Sequence, residues 1–186
     1  MQLIPYLEMN YGLSDQVLQE IDKASVTKQH GKKCTILEAG NYAKNIFFIE
    51  KGLVRLFYFK GGKAITHYFF KEGDFVAGAE STFLQRKSVY GIEVLEEAVI
   101  TAVPFSLINT LAVDSIAVNK LIQSILLQSL IGFSSRLQSL QFETAHERYQ
   151  KLINQHPEIL LRAPLGDIAS FLGISQQTLS VIRAQR

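Results

Sequence analysis

A chain of 186 residues, 47% hydrophobic and 19% charged, has enough apolar material to bury a core without metal or disulfide staples and lies outside the polar, highly charged regime that stays unfolded. Its one cysteine, Cys34, excludes an intrachain disulfide and a cysteine-built zinc or iron–sulfur site, which fits a reducing compartment. A net charge of +2 gives no reason to expect a polyanionic partner, so any case for nucleic acid has to come from motif and geometry.

The N-terminus, Met1-Gln2-Leu3-Ile4-Pro5, puts no basic stretch ahead of an apolar one, and no run of eighteen apolar residues occurs. Neither export nor membrane spanning is therefore expected, and the expected location is the cytoplasm. From about Cys34 to Pro104, short β-rich runs are punctuated by Gly40, Gly52, Gly61, Gly62, Gly73, Gly78 and Gly91, which predicts an antiparallel sandwich or barrel. Gly61-Gly62 suits a two-residue hairpin turn, because such turns need positive φ and glycine has no Cβ to oppose it. Residues 53–60 and 64–70 should then pair. Val54, Leu56 and Tyr58 alternate with Arg55, Phe57 and Phe59, so both faces of that strand are largely apolar and at least one must meet another sheet or a helix.

After Pro104 the pattern turns helical. A short helix over 105–111 leads to Asp114-Ser115 as an N-cap, and a long one follows over 115–141. Within it Leu126, Leu130, Phe133, Leu137 and Leu140 recur at alternating four and three residues, the spacing of a coiled-coil seam. About 27 residues at about 1.5 Å each make a rod of about 40 Å, longer than so small a domain covers alone, so this stripe is expected to hold a homodimer. Ile122, Ile125, Leu127 and Ile131 fall outside it and should help pack the helix on its own β domain. Two shorter helical segments, 145–155 and 157–161, precede Ala163-Pro164.

Residues 164–186 read PLGDIASFLGISQQTLSVIRAQR, the pattern of a helix-turn-helix. Leu165, Ile168, Ala169 and Leu172 form the apolar side of a first helix that stops at Gly173, a residue able to take the left-handed conformation, and Ile174 plugs the angle. Ser175 is then an N-cap for a second helix with Leu179 and Ile182 inward. Gln176, Gln177, Thr178, Ser180 and Arg183 point outward, a set able to bond base edges or phosphates.

Two stretches carry a resemblance to the Crp/Fnr family of bacterial transcription regulators, in its short, wing-poor form common in Bacteroidetes. Residues 46–78, IFFIEKGLVRLFYFKGGKAITHYFFKEGDFVAG, resemble the family's cyclic-nucleotide-binding-type β-roll, with Gly52, Gly73 and Asp74 at turn positions. Residues 145–180 resemble its DNA-binding end. The resemblance implies an α+β chain with an antiparallel β-roll (double-stranded β-helix) sensor over 1–113, a dimerisation helix over 114–141 and a helix-turn-helix domain over 142–186. It further implies a homodimer on a two-fold symmetric double-stranded DNA site, with Ser175, Gln176, Gln177, Thr178, Ser180 and Arg183 as contacts, RNA polymerase as a further partner and a small-molecule effector. Val181 stands where relatives often carry Arg, and the sequence ending at Arg186 leaves little or no wing.

Family members that bind cyclic AMP hold its phosphate with an arginine, because a buried phosphodiester needs a fixed fork of charged donors. In the matching stretch Ser88 stands about where that arginine belongs, Val89-Tyr90 replace small residues, and Arg86 lies two positions early. Cyclic AMP control is therefore not expected. Glu80, Arg86 and Ser88 remain the candidates for a pocket taking another small molecule, against the plainer reading of a solvated loop. No cofactor or metal is expected. His67 is the single histidine of the β region that could serve a haem, and His30, His67, His146 and His156 form no cluster such as a cupin-like metal enzyme, the rival enzymatic reading, requires. The remaining alternative is a β-roll that binds a ligand or a protein partner without binding DNA.

Overall fold

The computed structural model describes residues 1–184. The chain opens with two helices that the sequence reading did not assign, α1 (Leu3–Tyr11) and α2 (Asp15–Ala24), the second capped by Ser14. Strand β1 (Val26–His30) also starts earlier than expected, because its side chains are mostly exposed and carry no apolar alternation. Then come β2 (Thr35–Leu37), β3 (Asn45–Lys51), β4 (Val54–Lys60), β5 (Lys63–Phe70), β6 (Phe75–Val76), α3 (Ala79–Leu84), β7 (Gly91–Val94) and β8 (Ala98–Pro104).

These strands form two antiparallel four-stranded sheets, ordered β1-β8-β3-β6 and β2-β7-β4-β5. Apart from the β4–β5 hairpin, chain neighbours alternate between the sheets, so the polypeptide winds round a shared interior filled by Phe47, Ile49, Val54, Leu56, Ile92, Val94 and Ile100. Closing the sheets over one another is what lets strands this short bury a core. The expected hairpin is present: Lys60 pairs with Lys63, and Gly61 and Gly62 both take positive φ, 58° and 74°. On β4, Val54 and Leu56 face this interior, while Arg55 on the other face is buried as well.

Helix α4 (Phe105–Asp114) leads to α5 (Ile116–Phe142), whose first turn is closed by the Ser115 side chain accepting from the Val118 N–H. Leu3, Leu7, Leu18 and Ile21 meet Phe48, Val103, Ile108, Val118 and Leu121 in a second cluster, which fixes the start of α5 against the roll. Helix α5 contains an 18-residue window with a mean hydropathy of 1.4 and has the length to cross a bilayer, yet its apolar residues divide between contacts with the roll and an exposed stripe.

Four helices follow: α6 (Ala145–Gln155), opened by a capping box of Thr144 and Glu147, α7 (Pro157–Arg162), α8 (Leu165–Leu172) and α9 (Gln176–Ala184). Their core of Tyr149, Leu152, Ile159, Ile168, Ala169, Leu172, Leu179 and Ile182 is continuous with Leu53, Phe69 and Leu95 of the roll. The C-terminal helices are thus packed on the outer side of the second sheet.

Candidate nucleic-acid interface

Helix α8 ends where Gly173 turns left-handed, at φ 70° and ψ 32°, with its N–H returned to the carbonyls of Ala169 and Ser170. A side chain at this position would strain the backbone, so the glycine sets the sharp angle at which α9 departs. Ser175 opens α9: its Oγ accepts from the Thr178 N–H at 3.0 Å and lies 2.9 Å from the Thr178 hydroxyl. Leu179 and Ile182 are buried, and Gln176, Gln177, Thr178, Ser180 and Arg183 are exposed. Ser175 and Thr178 are occupied with the cap, which leaves the two glutamines, Ser180 and Arg183 as the freer groups. Val181 also lies on this exposed face.

The glutamines and Ser180 border a cleft of about 1030 Å³ whose other wall is the β4–β5 hairpin, with Tyr58, Lys60, Lys63 and Ile65. Lys60 and Lys63 are cations beside the candidate reading helix that sequence reasoning missed. They are adjacent to the hairpin glycines in sequence, but nothing in the sequence says that the hairpin tip folds back to the C-terminal helices.

Polar bonds fix α8 to the roll. The Arg55 guanidinium is shared by Glu93 of β7, Thr66 of β5 and Asp167 of α8. The Thr66 N–H donates to the Ser170 Oγ at 3.1 Å, and the Phe69 and Phe171 rings sit 5.1 Å apart. Burial pushes the Asp167 carboxyl up, and the Arg55 charge opposes that rise. Arg162 lies between Glu72 and Glu96. Burial works against the Glu72 carboxylate, but the Arg162 bonds and the N–H groups outweigh it and hold the group down at about 2. Arg162, a cation just ahead of the helix-turn-helix in sequence, is therefore committed to this contact between the C-terminal helices and the roll. Arg186 lies outside the described residues.

Residues 27–114 match the family model of the cyclic nucleotide-binding domain. Over the longer span the chain is similar to FixK2 from Bradyrhizobium japonicum, at 17% identity and a TM-score of 0.77, with 87% of this chain and 83% of that one covered. It is also similar to the c-di-GMP-responsive global regulator CLP from Xanthomonas campestris, at 12% identity, a TM-score of 0.72 and coverages of 92% and 91%. A third likeness is to TTHB099, a transcriptional regulator of the CRP family from Thermus thermophilus, at 20% identity, a TM-score of 0.66 and coverages of 85% and 83%. The chain has the Crp/Fnr regulator fold. No curated protein matches it in sequence.

Within this Crp/Fnr fold the three effector candidates have different surroundings. Ser88 is fully buried, and its hydroxyl donates to the Tyr90 carbonyl at 2.9 Å, beside Gly78 at the start of α3. Glu80, in the first turn of α3, has one buried carboxylate oxygen without a partner. Arg86 is exposed and forms no ion pair among the described residues. Between roll and α5 the space holds aromatic rings: His67 lies 4.9 Å from Tyr90 and 5.0 Å from Phe133, and Tyr58 lies 6.2 Å from Tyr90. Burial, and then the Arg136 charge, lower the pKa of His67 and favour its neutral form.

The expected seam of α5 is divided. Leu126, Leu130 and Leu137 are exposed together with Leu127 and Ile131. Leu140 is exposed as well and reaches Gly173 of the C-terminal helices. Phe133 corrects the expectation: it turns away from the stripe and packs its ring on Tyr68, 5.6 Å away, and His67. The heptad spacing put it within the seam, and the nearby aromatic wall of the roll decides which way it faces.

Proposed function

We propose that this protein is a cytoplasmic transcription regulator that binds a two-fold symmetric DNA operator as a homodimer and is not controlled by cyclic AMP. The observation that carries it is the exposed first turn of α9, where Gln176 and Gln177 stand free of intrahelical work on a helix held at a fixed angle by Gly173. A helix so presented fits the major groove, where glutamine pairs bidentately with adenine. Ser180 adds a further polar group, Arg183 a phosphate contact, and Val181 an apolar surface suited to a thymine methyl. The exposed stripe Leu126, Leu130 and Leu137 supports dimerisation through α5, since two copies joined there would present two reading helices to successive turns of one duplex face. The absence of a cation at Ser88 and the rings of Tyr58, His67, Tyr90 and Phe133 support independence from cyclic AMP. RNA polymerase is the partner through which such a regulator would act.

Selection of duplexes from a random pool with the full chain tests this reading. The expected result is a palindromic motif with half-sites about 34 Å apart, one helical turn. No enrichment above non-specific binding would refute it. Calorimetry with cyclic AMP and cyclic GMP should show no saturable binding, and a micromolar dissociation constant would overturn that part alone.

A further inference from the structure

A cavity of about 410 Å³ lies where β5, α5, α6 and α8 meet, at the junction of the roll and the C-terminal helices. It is distinct from the space beneath Glu80 and Ser88, whose residues do not line it. Its floor is apolar and aromatic, with Tyr68, Phe70, Phe75, Phe133, Leu152 and Phe171. That volume falls within the range of small-molecule sites, which are mostly apolar pockets with a few convergent polar groups.

The polar groups here are unbalanced in sign. Lys71 is paired with Glu158 at 2.6 Å, and Lys151 with Glu143 at 2.9 Å. His156 lies 3.7 Å from Glu158, and the Asp74 carboxylate accepts from the Lys71 N–H at 2.8 Å. Arg148 donates to the carbonyls of Leu172 and Glu143. Arg136 is different. It lies partly buried with its guanidinium 4.1 Å over the Phe171 ring, and among the described residues it forms no hydrogen bond or ion pair. Burial, and then repulsion from Arg148 against the pull of nearby tyrosines, lower its pKa to about 10, so it stays charged at neutral pH. A partly desolvated guanidinium with five free donors, facing an aromatic cavity, is costly unless something answers its charge. The Asp74 carboxylate, which also lines the cavity, is already held by backbone.

We propose that this cavity binds an amphipathic organic anion, a carboxylate carried on an apolar body, with the head on Arg136 and the body on the aromatic floor. The carboxylate would complete the donor fork of Arg136, which a bare inorganic ion could do without using the floor and a neutral hydrocarbon could not do at all. Such an occupant would touch β5 on one side and α6 and α8 on the other, and so would bind the roll to the helices that carry α9. Ser129, Gly132 and Arg136 lie on a different side of α5 from Leu126, Leu130 and Leu137. The proposal goes beyond the DNA-binding reading and stands or falls without it.

Isothermal calorimetry on the full chain, with decanoate and decan-1-ol as probes and no DNA present, tests it. Decanoate should bind saturably, and decan-1-ol more weakly by about tenfold or more, as expected for losing a charged hydrogen-bonding head. Arg136→Gln should weaken decanoate by about tenfold or more and leave decan-1-ol unchanged, because only the charged contact is removed. Should that variant fail to fold, Arg136→Lys keeps the charge and should reduce the preference for decanoate without abolishing it. Equal binding of the two probes overturns the proposal, as does undiminished preference in either variant. Displacement of decanoate by inorganic phosphate alone also overturns it, since the site would then take bare anions.

Discussion

Replacing Leu130 by Glu gives a direct measure of the α5 interface. Leu130 is 65% exposed, in the middle of the stripe that also holds Leu126 and Leu137. Fully burying a leucine contributes about 1.5–3 kcal/mol, so the exposed part is worth about 1–2 kcal/mol in each chain and about 2–4 kcal/mol where two copies meet on a symmetry axis. The substitution removes that gain and sets two carboxylates against one another. The dimer dissociation constant should therefore rise between about 30-fold and about 1000-fold. Leu161→Glu is the control: Leu161 is 89% exposed on α7, off the stripe, and its replacement should leave the constant unchanged. Sedimentation equilibrium of the three proteins through the micromolar range reads the effect. A monomeric wild type at those concentrations would refute the reasoning, as would a Leu130→Glu chain that dimerises as well as the parent.

Gln177→Ala should relax sequence preference at one position of each half-site, costing about 1–3 kcal/mol of discrimination, whereas Arg183→Ala should weaken binding to all duplexes alike. An unchanged selected motif in the Gln177 variant would exclude that side chain from base reading. Arg55→Met and Asp167→Asn, each melted in urea alone and together, should show a coupling of about 1–3 kcal/mol, because the pair joins α8 to the roll in a largely buried setting. Additive losses would mean that Asp167 is not what holds α8 there. Glu72→Gln should cost on the order of 1 kcal/mol at neutral pH, a figure reduced for the exposure of the Glu72–Arg162 pair to solvent. Because the folded-state pKa of Glu72, about 2, lies below the ordinary value of 4.5, this contribution is present above pH 4.5 and fades as pH falls towards 2. The gap between wild type and variant should close over that window, and a gap constant across it would remove the Arg162 contact from the stability of the domain junction.

The elements with strong local signals were legible from the sequence. Paired glycines at 61 and 62 fixed the β4–β5 hairpin through their positive φ, the α5 helix followed from 27 residues with neither proline nor an early break, and Gly173 with Ser175 marked the turn between α8 and α9. Each of these depends on residues within a turn or two of one another, where backbone sterics and capping act without distant help. Helices α1 and α2 and strand β1 were not legible, because what stabilises them is contact with Phe48, Val103 and β8, far along the chain. The same holds for the site. The outward set on α9 could be read from 3.6-residue periodicity, but Phe133 turning to the roll, Arg162 held by Glu72 and Glu96, and Lys60 and Lys63 facing α9 were decided by how the domains pack. Sequence by itself determined which faces of α8 and α9 are polar. Only the tertiary structure decided which of those polar groups are already paired, because a charge finds its partner across space, where spacing along the chain gives no signal.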